Sequence, residues 1–152
     1  MRRFFMLAIS PVLFVASTAS GQAKTTAGMT QVSTWLGAWT CTAGKDTYTE
    51  TFTPMLNGKA MRVSITGPYA SEGIAIYDKV RKAWFYAFIN GDSTYAVNNG
   101  PVNGANIAFK QVFPPGVAVD TIVMNSAAKY TSSFTMIANH KKVTGVEVCT
   151  KT

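Results

Sequence analysis

The chain has 152 residues, 47% of them hydrophobic and 14% charged, and this much apolar mass at single-domain length builds a real core and excludes disorder as the main description. Its 14 Lys and Arg against 7 Asp and Glu give a formal charge of +7, with one His and two Cys. One histidine excludes a His-rich metal centre, and so small a catalytic inventory lets most enzyme classes be tested by counting.

Met1-Arg2-Arg3, an apolar run from Phe4 to Ala16 and the small, polar stretch Ser17 to Ala23 form the charged head, apolar middle and small-residue exit of a secretory signal peptide. The run is about 13 residues long and is interrupted by Pro11, short of the roughly 20 that a membrane helix needs. Residues 1–23 are therefore read as a leader cleaved after Ala23, or after Ala19, and no transmembrane segment is expected in the mature chain. Arg2-Arg3-Phe4-Phe5-Met6 resembles a twin-arginine signal but lacks the polar residue before it and the lysine after it. Loss of Arg2 and Arg3 brings the surplus of +7 to about +5. The expected location is secreted or periplasmic, with residues 24–152 as one domain.

Met29, Val32 and Leu36 share one helical face, which predicts a short apolar helical turn before the first strand. Ten runs rich in β-branched and aromatic residues follow: 35–42, 46–53, 59–66, 73–78, 83–89, 93–97, 106–113, 117–125, 129–138 and 142–150. Turn residues separate them, among them Ala43-Gly44, Asn57-Gly58, Gly67-Pro68, Asn90-Gly91, Asn99-Gly100-Pro101 and Pro114-Pro115-Gly116. Regular turn signals without helical stretches between them predict an all-β antiparallel sandwich or barrel.

Cys41 lies in the first predicted strand and Cys149 in the last. A disulfide between them requires these strands to be neighbours, and in an up-and-down meander that happens only if the sheet closes. The expectation is a closed up-and-down antiparallel barrel of about ten strands. The alternative for the cysteines, a redox or metal pair, lacks a nearby histidine or third cysteine.

Alternation then sorts the side chains. In the second strand Thr47, Thr49, Thr51 and Thr53 face outward, and Tyr48, Glu50 and Phe52 face inward. The same rule places Met61, Val63 and Ile65 inside, with Phe109, Gln111 and Phe113, and with Tyr130, Ser132, Phe134 and Met136. Glu147 shares the parity of Cys149. The run Trp84-Phe85-Tyr86-Ala87-Phe88-Ile89 is apolar on both faces, so alternation does not decide its inner side. Trp84, Tyr86 and Phe88 are taken as lining candidates, and the other face as covered or used for contact. A ten-stranded barrel is wide enough for a cavity, lined here by Tyr48, Glu50, Phe52, Trp84, Tyr86, Phe88, Phe109, Gln111, Tyr130, Phe134, Met136 and Glu147. The competing reading is that these residues fill the interior as a packed core.

Trp35-Leu36-Gly37-Ala38-Trp39, an apolar turn leading into Gly-x-Trp at the first strand, resembles the opening of the calycin group of β-barrels, which includes the lipocalins and fatty-acid-binding proteins. Gly73-Ile74-Ala75-Ile76-Tyr77-Asp78, a basic turn and the strand from Trp84 resemble more specifically a family of uncharacterised bacterial lipocalin-like domains that are frequently secreted. The resemblance implies a closed barrel with Trp39 packed across its base, and no established activity. Ten strands are also similar, more distantly, to the haem-binding nitrobindins, whose ligand is a histidine near the C-terminus. His140 sits in Asn139-His140-Lys141-Lys142, which reads as turn chemistry instead.

No Gly-x-Ser-x-Gly elbow, free catalytic Cys or phosphate-binding glycine loop accompanies these residues. Only paired carboxylates survive the count. Glu50 and Glu147 facing one lumen would permit acid–base chemistry, but the reading preferred is structural, with each carboxyl bonded to Tyr48, Tyr130 or Arg62, or anchoring a ligand. The basic residues are scattered over turns, which argues against nucleic acid and leaves room for contact with an anionic envelope surface. The expectation is a binding protein and not an enzyme, without a cofactor or metal, that takes a small, mainly apolar molecule. The alternative is a structural or protein-interaction barrel with a filled core.

Overall fold

The computed structural model describes residues 33–103, 106–138 and 141–152, with side chains for all of these except 101–103, 136–138 and 141. A 3-10 turn at Ser33–Trp35 leads into β1 (Gly37–Ala43), β2 (Asp46–Met55), β3 (Ala60–Thr66), β4 (Ser71–Asp78) and β5 (Ala83–Asn90). β6 (Tyr95–Asn103), β7 (Asn106–Phe113), β8 (Val119–Ser126), β9 (Lys129–Ala138) and β10 (Lys141–Lys151) complete the chain. Each strand pairs antiparallel with the next, and β10 pairs with β1, so the sheet is a closed up-and-down barrel. Closure satisfies the two strand edges that an open ten-stranded sheet would expose.

The disulfide lies on the closing seam. Cys41 and Cys149 are register partners on β1 and β10, with Cα atoms 4.0 Å apart and a sequence separation of 108. The predicted helical turn survives as the 3-10 turn. Met29 and Val32, the leader and its two cleavage positions, and His140 lie outside the described residues.

Register carries the inward side chains in rows across the wall. One row runs Met124, Tyr130, Cys149, Cys41, Tyr48. The next runs Ile107, Ile122, Ser132, Glu147, Ala43. A third runs Phe109, Asp120, Phe134, Gly145. The threonines of β2 face outward as alternation predicts, and Met61 and Val63 are buried.

Two expectations change. Asn99-Gly100-Pro101, read as a turn, is part of β6, which continues to Asn103. Gly100 serves a close approach there: a Cβ on it would stand 2.2 Å from the Ala108 carbonyl oxygen. Phe113, predicted to face inward with Phe109 and Gln111, is 52% exposed. A register shift lets Asn98 pair with Gln111 while Val97 pairs with Phe113. The extra residue of this bulge reverses the parity, and Phe113 goes to the outer face beside Tyr95, ring centroids 6.0 Å apart.

Candidate functional site

One end of the barrel is filled. Trp35, brought over the opening by the 3-10 turn, stacks on Tyr130 at 5.6 Å and meets Phe52 edge-on at 5.6 Å. The Trp39 indole N–H donates to the Trp35 carbonyl at 2.6 Å, and its ring packs against Tyr130 at 4.9 Å. Trp39 has no exposed surface, which places it across the base as the resemblance implies.

Above this base lies a polar interior. Tyr130 donates its hydroxyl to Glu50, and the same oxygen is 3.4 Å from Cys41 Sγ. Tyr48 donates to Glu147, and Ser132 donates to Asp120. Burial pushes Glu50 up to about 7 despite the bond from Tyr130, and the Asp120 charge adds to the rise. Burial also raises Asp120 to about 6 and Glu147 to about 7. Tyr86 and Tyr130 are held well above the ordinary phenol range by burial and by the Glu50 and Asp120 charges. Every Lys and Arg side chain among those described is exposed. The interior acids are therefore met by hydroxyls and hold their protons to higher pH than in water, the direction expected when charge is desolvated without a counter-ion.

Of the three partners expected for a buried carboxylate, two are found, Tyr130 on Glu50 and Tyr48 on Glu147. Arg62 instead pairs with Glu72 on the outer face, at 2.9 Å. Glu50 and Glu147 each sit on their own tyrosine. Sequence reading overlooked Asp120, which faces inward with Ile122 and Met124. Alternation in β8 carried that signal, but Val119 and Val123 mark the opposite face as apolar although they lie 42% and 39% exposed outside.

The opposite end differs. Tyr86, Phe88, Phe134 and Glu147 point inward yet are only half-buried, unlike the rings at the Trp35 end. Phe134 faces Gly145 across the β9–β10 register, and a Cβ on Gly145 would stand 2.3 Å from the Phe134 ring. Gly73 receives the Tyr86 ring in the same way, at 2.6 Å. The Phe134 ring thus lies on Gly145, while the Tyr86 ring over Gly73 also packs with Phe88 at 5.1 Å and with Phe109 at 5.7 Å.

Of the other candidates, Tyr48, Phe52, Trp84 and Phe109 are buried in the interior. Gln111 is half-buried, but its amide donates to the Pro114 carbonyl at 2.7 Å and holds the turn between β7 and β8. The Met136 side chain lies outside those described. The Trp84 indole N–H and Asn98 Oδ1 are buried without a hydrogen-bond partner. Cys41, Glu50 and Cys149 bring donor atoms within 4.8 Å of one another, but both sulfurs are bonded in the disulfide. The outer face of β5 is uncovered, with Phe85 36% and Ile89 63% exposed. A shallow hollow of about 690 Å³ crosses this wall, lined by Arg62, Glu72, Ile74, Ala87, Ile89, Tyr95 and Val97 among others.

No protein-family model matches the chain, and no curated protein does.

Proposed function

We propose that this is an exported, lipocalin-like barrel that binds a small, mainly apolar molecule in its lumen, entered from the end opposite Trp35. The observation that carries the reading is the seating of Phe134 and Tyr86 on glycines, which leaves half-buried aromatic surface around the axis of the barrel. Burying such surface against a ligand contributes about 25 cal/mol per Å². Glu50, Asp120, Ser132 and the unpartnered Trp84 N–H and Asn98 Oδ1 supply the few polar anchors of a small-molecule site. We read the interior acids as such anchors and not as catalytic groups, because each accepts a hydroxyl bond from the fold itself. The leader and the buried disulfide support export to an oxidising compartment. A panel of lipophilic dyes titrated into purified protein tests the site: one saturable site, displaced by material extracted from the protein, is expected. Absence of any saturable dye and of any extracted ligand overturns the reading.

The uncovered outer face of β4 to β6 favours a second reading, an interaction barrel. Ile74, Ile76, Phe85, Ile89 and Tyr95 stand 36% to 63% exposed on neighbouring strands. Retention of this surface as exposed in a protein that is monomeric at high concentration counts against it.

A further inference from the structure

In an up-and-down barrel the two rims are set by strand parity. The β2–β3, β4–β5 and β8–β9 turns share the Trp35 end with the start of β1 and the end of β10. Lys59, Lys79, Arg81, Lys82, Lys129 and Lys151 stand on this rim, all exposed. The carboxylate among the described residues there is Asp78, which is engaged by Arg81 at 2.6 Å and by the turn amides of Val80 and Arg81 at 2.8 and 3.0 Å. At the other rim Lys45, Lys141 and Lys142 stand against Asp46 and Asp92, a surplus of about one. Topology therefore places most of the positive surplus of the described residues, scattered in sequence, on one end.

The same rim presents apolar tips. Val80 is 91% exposed between Lys79 and Arg81, and Leu56 is 67% exposed three residues before Lys59. These are the two most exposed large hydrophobic side chains among those described. Leu56 also adopts φ of 51°, a left-handed conformation that a leucine avoids, and no burial of its side chain offsets the strain. The two turns adjoin, since Lys59 and Lys79 line one cleft of about 220 Å³ with Ile76 and Tyr77.

We propose that the closed end of the barrel docks on an anionic phospholipid bilayer, with its cations on the headgroup phosphates and Leu56 and Val80 in the interfacial layer. Cations next to exposed aliphatic tips match a surface that is charged outside and apolar a few ångströms below. A nucleic acid would meet the cations but has no apolar layer for the two tips, and the described turns of this rim offer no exposed aromatic ring for base stacking. Docked in this way, the barrel holds its open end away from the membrane.

Sedimentation of the exported protein with vesicles tests the proposal, using phosphatidylcholine alone and phosphatidylcholine with one-third phosphatidylglycerol. Binding is expected to the anionic vesicles, to weaken with salt, and to fall by at least about tenfold in the combined Lys59→Glu, Lys79→Glu, Lys82→Glu variant. Leu56→Asp with Val80→Asp is expected to weaken it by about tenfold as well, because burial of each tip is lost. All five side chains are exposed, and melting temperature and dye uptake are expected to remain those of the parent. The proposal is overturned if the parent does not sediment, if it binds neutral vesicles equally, if the charge-reversed variant binds as the parent does, or if duplex DNA is bound more tightly than the vesicles.

Discussion

The two ends of this barrel are built by the same ten strands and come out differently. At the Trp35 end Trp35, Trp39, Phe52 and Tyr130 close over one another, and none is more than 5% exposed. At the other end Phe134 lies on Gly145, and Tyr86 lies on Gly73 beside Phe88 and Phe109. Aromatic mass by itself does not fill a barrel. What opposes each ring does: another ring brings two side chains to the axis, and a glycine lets one fold away from it. One end can thus hold the structure together while the inward rings of the other stay partly exposed.

Truncation at each end should break the comparison most strongly. Trp39→Ala is expected to cost about 3–5 kcal/mol, as for large buried aromatics, whereas Phe134→Ala should cost well under half of that. Denaturant unfolding checks both, and equal losses would show that the two ends are packed alike. Removing the seam is next: Cys41→Ala with Cys149→Ala, or reduction, should lower stability by about 2–4 kcal/mol, because the loop released spans 108 residues. An unchanged melting temperature would mean that closure does not depend on the bond.

The polar interior between the two ends makes a pH prediction. Glu50, Asp120 and Glu147 have folded pKa values of about 7, 6 and 7, above their ordinary values of 4.5, 3.8 and 4.5. The folded state therefore binds protons more tightly than the unfolded state. The stability this gives is fully present below about pH 4 and is lost as pH rises through 6 to 7. Melting temperature should fall over that window, and Glu50→Gln should flatten the profile and gain about 2 kcal/mol at pH 8 while changing little at pH 4. A profile unaffected by the substitution would remove Glu50 from this account. The smallest effect sharpens the open end. Gly145→Ala must displace the Phe134 ring from the wall, so dye affinity should drop several-fold with about 1 kcal/mol or less of stability lost.

Much of this was legible in residues of a particular kind. Alternation in β2 and β9 put Tyr48, Glu50, Phe52, Tyr130 and Ser132 inside, because a half-buried strand has period two and a one-residue error would expose every apolar side chain at once. Phe113 was misread because a bulge adds a residue without any mark in the composition of β7. Asp120 was missed because both faces of β8 carry apolar residues, so alternation there has no contrast. The β5 face had the same ambiguity, and the sheet settles it with Trp84, Tyr86 and Phe88 inside.

By itself the sequence determined that the domain is all-β, that several of its turns fall at glycine and proline, and that its two cysteines tie the first strand to the last. These follow from local backbone preference and from one covalent constraint. Only the tertiary structure decided which acids share the interior, which rings lie on glycines, and that the cations gather on one rim. Those properties depend on register and on which turns share an end, and neither is written in any single stretch of the chain.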